Sequence, residues 1–117
     1  MSSVEDLLRT LLDMPGVTGI ALVDAVTGLT YGEVGEETPY AEECSRLAVS
    51  VVDRLHAAGA RGELESIVIT GARHQIVLRA CPRRGDPLLL TAALEREQAN
   101  LALVLHRLGR HAEKAAG

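Results

Sequence analysis

The side chains in this sequence able to do covalent or metal chemistry are four histidines, two cysteines and a few serines, and their spacing argues against such chemistry. His56, His74, His106 and His111 fall on three expected elements, and each reads as a lone surface residue. His106 and His111 stand five apart, whereas two ligands on one helix face need a separation of about four. Cys44 and Cys81 form no CxxC pair and have no His cluster nearby, so zinc is not expected. Both read as reduced core thiols, Cys44 on an apolar helix stripe and Cys81 at a strand end. Ser45, Ser50 and Ser66 lie inside regular elements and lack the GxSxG turn that exposes a serine nucleophile. Gly16, Gly19 and Gly28 match neither GxxxxGK[ST] nor GxGxxG, and no strand-to-helix crossover follows them to seat a phosphate. Glu36 and Glu37 stand before a helix start, where carboxylates favour the helix dipole, and that role outranks a catalytic pair. Arg84-Gly85-Asp86 spells an adhesion tripeptide, but the segment already has a turn to make. No catalytic residue, cofactor or metal ligand is expected.

What the chain does contain is a set of well-marked elements. Its 117 residues, 47% of them hydrophobic, suit one domain, residues 1–117, with an aliphatic core, since Trp and Phe are absent and Tyr31 and Tyr40 are the only aromatics. Ser2 with Glu5 is a capping-box pair, and Val4, Leu7, Leu8, Leu11 and Leu12 mark a first helix ending at Met14, before Pro15 and Gly16. Val17 to Val23 and Leu29 to Val34 form a hairpin across a turn at Asp24 to Gly28. Leu64 to Thr70, His74 to Cys81 and Pro87 to Leu94 form a meander joined by short turns. Pro87 fits only at the start of its strand. From Arg96 onward a last helix carries Leu101, Leu105, Leu108 and Ala112, with Gly109 as a point of fraying. The fold class is therefore α+β: a five-stranded, mostly antiparallel sheet layered with helices.

The longest helical signal runs from Thr38 to Gly59, with Thr38 as N-cap, Pro39 in the first helical position and Gly59 as the stop. Ala41, Cys44, Ala48, Val51, Leu55 and Ala58 make its inward stripe, widened by Leu47 and Val52. Its opposite meridian reads Glu42, Arg46, Val49, Asp53, Ala57, which mixes charge with small apolar groups. That row is either a docking face or a solvated face whose Glu42 and Arg46 pair one turn apart. In Leu64-Glu65-Ser66-Ile67-Val68-Ile69-Thr70 both faces carry apolar residues and neither Pro nor Lys protects the strand as an edge. It is either internal to the sheet or an edge that needs a partner.

The net charge of −4 and the lack of a basic run, Arg83 and Arg84 being too small a cluster, exclude nucleic acid as a partner. The amino-terminal Ser2, Ser3, Glu5 and Asp6 lack the pattern of a signal peptide, and no apolar run is long enough to insert in a membrane. A cytoplasmic location is expected.

The element order, the string Met14-Pro15-Gly16-Val17, the strand-turn Val23-Asp24 with Gly28-Leu29, the long helix and the late Asn100 together resemble the roadblock/dynein light chain family, in its bacterial branch. The likeness spans nearly the whole chain and rests on scaffold features. The residues Asp24-Ala25-Val26-Thr27-Gly28 depart from a shorter Asp-x-x-Gly turn. The resemblance implies a homodimer in which the third strands pair, through Leu64, Ser66, Ile67, Val68, Ile69 and Thr70, into one continuous sheet. The two long helices then lie side by side on one face, with the first and last helices on the other. It further implies a non-enzymatic scaffold that binds a small Ras-like GTPase, in a system that includes a sensor kinase. On that reading Glu42, Arg46, Val49, Asp53 and Ala57 form the docking face, Val49 and Ala57 by contact, Arg46 and Asp53 by orientation. Two other readings keep the same fold: a PAS-like small-molecule sensor, and an adaptor for another signalling protein.

Overall fold

The computed structural model describes residues 3–83 and 85–116, with the side chains of the last helix described through residue 112. The Ser2 cap and Arg84 of the Arg-Gly-Asp turn lie outside the described residues. Eight elements follow in the expected order: α1 (Ser3–Leu12), β1 (Val17–Asp24), β2 (Thr30–Gly35), α2 (Ala41–Ala57), β3 (Ser66–Thr70), β4 (His74–Cys81), β5 (Leu88–Glu95) and α3 (Leu101–Ala116).

The five strands form one antiparallel sheet in the order β2-β1-β5-β4-β3. β1 and β5 lie in its middle and are covered on both faces, which is why both read as unbroken apolar runs rather than as alternating ones. The period of two divides them cleanly. Ile20 and Leu22 point to one side, where Leu8 and Leu11 of α1 and Val104, Leu108 and Ala112 of α3 meet Val77, Leu90 and Ala92. Ala21 and Val23 point to the other, where Cys44 and Ala48 of α2 meet Leu78 and Leu89. Two helices therefore cover one face and the long helix covers the other, as the resemblance implied. Each fully buried Leu or Val contributes roughly 1.5 to 3 kcal/mol, so the first layer, which holds most of them, carries most of the stability.

Two helix ends differ here from expectation, each because of the chain that adjoins it. α1 ends at Leu12, not Met14, because the residue before Pro15 is steered out of the helical region. Met14 instead folds back under α1, its N–H donating to the Leu11 carbonyl at 3.3 Å, and is buried. α3 begins at Leu101 rather than near Arg96, since Gln98 and Ala99 first turn back to the Glu95 carbonyl. Asn100 then caps the helix, its Oδ1 accepting from Leu103 N–H at 3.1 Å. α3 runs through Gly109 without a break, and the Arg79 guanidinium lies at ordinary contact distance, 3.6 to 3.8 Å, from where a Cβ there would stand. Its buried stripe centres on Val104, with Leu101 and Leu105 half-buried beside it. At the other end of α2, Gly59 does stop the helix as expected. With φ at +84°, its N–H reaches the His56 carbonyl (3.0 Å) and the Ala60 N–H reaches that of Leu55 (2.8 Å), a Schellman closure.

Candidate docking surface

α2 starts at Ala41, two residues after Pro39, the expected first helical position, and Tyr40 occupies the N-cap without a side-chain bond. The reason lies in the segment before it. Glu36 and Glu37 both donate their N–H to the Thr18 carbonyl, at 3.0 and 3.4 Å, which stretches the chain across the end of β1. The Glu37 carbonyl lies so close over Gly19 that any Cβ there would collide with it. Thr38 is thereby drawn away from capping, and its hydroxyl donates to the Glu33 carboxylate at 3.3 Å.

Once started, α2 buries Cys44, Ser45 and Ala48 and half-buries Ala41, Leu47, Val51 and Leu55; Val52 and Ala58, expected on the inward stripe, are exposed. Ser45 is not among the expected inward residues. Its hydroxyl sits 2.8 Å from the Ala25 carbonyl and 3.0 Å from that of Val26, which fastens the helix to the β1–β2 turn. That turn is itself organised by Asp24, whose carboxylate accepts from Val26 and Thr27 N–H, each at 2.8 Å. The Thr27 N–H, with that of Val26, holds the Asp24 carboxyl below the usual carboxylate range, against an opposing push from burial.

Glu42, Arg46, Val49, Asp53 and Ala57 are all exposed and share the outward meridian of α2. Arg46 does not pair with Glu42. Its guanidinium donates to Glu43 at 3.0 Å instead, in a solvated i, i+3 pair worth a few tenths of a kcal/mol. Val49 and Val52 are each 44% exposed, a large apolar area for a helix with free solvent on one side. Both border a cleft of about 160 Å³ whose walls are apolar, including Ala25, Val26, Ala48 and Pro87. Val52, Leu64, Ala80 and Pro87 also line a broader hollow of about 520 Å³ under the end of α2.

β3 is an edge strand of the sheet, not an internal one. Ser66, Val68, Ile69 and Thr70 are exposed and Ile67 is half-buried. Leu64 precedes the strand and lines the clefts beside α2, so it stands apart from the edge.

The thiols are placed as expected. Cys44 lies in the α2 layer and Cys81 in the opposite one, both unpaired and buried. Burial pushes each thiol up to about 11, so neither is a ready nucleophile at neutral pH. Ellman's reagent at pH 8 should leave both unmodified in the native protein and titrate both after unfolding; prompt reaction of either thiol in the folded state would contradict this burial.

Of the histidines, His111 donates through Nδ1 to the Arg107 carbonyl (2.8 Å) on its own helix. His74 is not the lone residue that the sequence suggests: it pairs with Glu95 directly across β4 and β5, Nε2 to Oε1 being 3.4 Å. Glu37 brings a second carboxylate to the same place, so that one donor atom from each of the three lies within 4.8 Å of the others. The three come from three elements, and only the strand register reveals the grouping.

No protein-family model and no curated protein matches this sequence. Its fold, however, matches solved structures along nearly the whole chain. The gliding protein mglB from Thermus thermophilus superposes with a TM-score of 0.77 at 16% identity, over 99% of this chain and 90% of that one. A structure of MglB with a tetrameric arrangement gives 0.78 at 17%, over 99% and 90%. A Roadblock/LC7 domain from Streptomyces avermitilis gives 0.73 at 19%, over 97% and 94%. At these identities the likeness is one of fold. Among the described residues no helix is long and apolar enough to cross a membrane.

Proposed function

We propose that this chain is a non-enzymatic, cytoplasmic regulatory scaffold that forms a homodimer through β3 and binds a small Ras-like GTPase on its paired α2 helices. The observation that carries the reading is the open edge of β3: a strand with exposed Val68 and Ile69, without Pro or Lys and with no covering loop among the described residues, calls for another strand. The neighbour with a tetrameric arrangement supports self-association on this fold. Pairing two copies there brings two α2 helices to one face of a continuous sheet. Val49 and Ala57 then supply contact, and Arg46 and Asp53 fix orientation. Neither Arg46 nor Arg54 projects from a loop as an arginine finger does, so any effect on GTP turnover runs through the GTPase's own switch residues. A sensor kinase belongs to the same system by the resemblance read from the sequence.

The test is a capture assay with small Ras-like GTPases from the same organism. Replacing Val49 and Asp53 together by Arg should lower GTPase capture at least about tenfold, the size expected when an apolar anchor and a register charge are both lost. The dimer should persist. Undiminished capture by the double variant would remove this face, and no capture by the wild-type chain would leave the adaptor reading in its place. The small-molecule reading has less support, because the smaller cleft is walled by apolar groups without the convergent polar atoms of a ligand site. A ligand that bound only the folded chain would raise its melting temperature.

A further inference from the structure

We infer that Glu37, His74 and Glu95 form a surface site for a divalent transition-metal ion, with Zn²⁺ as its probe. The inference is independent of GTPase docking. One imidazole nitrogen and two carboxylate oxygens make a mixed donor set of the kind zinc accepts, with solvent completing the coordination on the open side. The donor atoms lie within 4.8 Å of one another, and ligands about 2.0 to 2.2 Å from a shared ion stand roughly 3 to 3.5 Å apart. Side-chain rotation closes that gap.

The backbone beneath is fixed. His74 and Glu95 are register partners on β4 and β5, and the ladder continues past them through Arg96 N–H to the Arg73 carbonyl at 2.9 Å. Glu37 is held by its N–H on Thr18 and by its close seat over Gly19. Charge points the same way. Among the described residues neither carboxylate pairs with an arginine or lysine, although Arg73 and Arg96 flank the site in sequence. The Arg96 guanidinium is turned to the Gly71 carbonyl at 3.3 Å instead. The two carboxylates and the imidazole are thus left without a competing arginine or lysine, and their donor atoms converge where a divalent ion could share them. An ion there would clamp the segment leading into α2 onto β4 and β5.

Calorimetric titration of the full chain with Zn²⁺, read beside thermal melts, tests this. The wild-type chain should take up one equivalent and melt at a higher temperature with the ion bound. His74→Ala should weaken binding about tenfold or more, and the pair Glu37→Gln with Glu95→Gln should do the same. His111→Ala, on α3, should bind like the wild type. The two ligand variants should melt like the wild-type chain without metal, because all three side chains are at least partly exposed. Wild-type affinity in His74→Ala, loss of binding in His111→Ala, or no uptake by the wild-type chain would each overturn the site.

Discussion

Val68→Pro is expected to turn the proposed dimer into a monomer while leaving the subunit folded. The ladder between β3 and β4 shows why. Ala80 N–H donates to the Glu65 carbonyl and Gly71 N–H to that of His74, so the odd-numbered positions of this stretch face β4. By alternation Ile67 and Ile69 do so too, and Ser66, Val68 and Thr70 direct their N–H and C=O groups outward. Proline at position 68 therefore removes an N–H that β4 does not use, a setting in which an edge strand tolerates it. It also places a ring where a second β3 would pair. If each copy loses one mutual bond of about 1 kcal/mol, dissociation should rise at least about thirtyfold. Ile69→Pro makes the contrast, since it breaks a bond to β4 and should lower the melting temperature as well. Sedimentation at several micromolar concentrations separates the outcomes. A Val68→Pro protein that sediments as the wild type does would show that β3 does not carry the assembly.

The fold was legible where a residue's choice is settled locally. Val17 to Val23 is too apolar and too short for anything but a strand covered on both faces, and Gly59 ends α2 because only glycine sits easily at its φ of +84°. Where a distant segment intervenes, the sequence misleads. Thr38-Pro39 has the form of a helix start, but Thr18 and Gly19 hold the preceding residues extended, and the helix waits for Ala41. The order of strands was not readable from periodicity at all. Whether Ser66 to Thr70 is internal or at an edge depends on β1 inserting beside β5, a pairing of residues some seventy positions apart.

The candidate surfaces divide in the same way. The outward row of α2 follows from a period of 3.6 and needed nothing more, so Glu42, Arg46, Val49, Asp53 and Ala57 are exposed together as expected. Ser45 escaped because a serine beside an apolar stripe reads as a gap in it, and its value lies in two carbonyls contributed by another turn. Its distance from Cys44 and Ala48 on the wheel was a usable signal: the flanking position next to a buried stripe is where a polar anchor can reach a loop. His74, Glu37 and Glu95 gave no such signal. Their proximity depends on β4 and β5 being in register and on Glu37 crossing β1, neither of which a local pattern encodes.

The two layers of the subunit should also differ sharply in what a deletion costs. Leu90 is fully buried between α1, α3 and the sheet, in register with Leu22, so Leu90→Ala removes an isopropyl group from a fully buried site. A loss of about 3 kcal/mol is expected, within the range for such core truncations. For a chain of this length that lowers the melting temperature by roughly 12 °C. Leu47→Ala on α2 should cost only about 1 kcal/mol in an isolated subunit, because Leu47 is half-buried there. α2 fully buries no side chain larger than those of Cys44, Ser45 and Ala48, and its valines at 49 and 52 remain in solvent, so a lone subunit leaves this layer unfinished. If a second copy completes it, the cost of Leu47→Ala should grow with protein concentration, while that of Leu90→Ala should keep its value. Melts at two concentrations a hundredfold apart read both at once. Equal and concentration-independent losses would mean that α2 is already as well seated as the helices opposite, and that no second copy is needed to cover it.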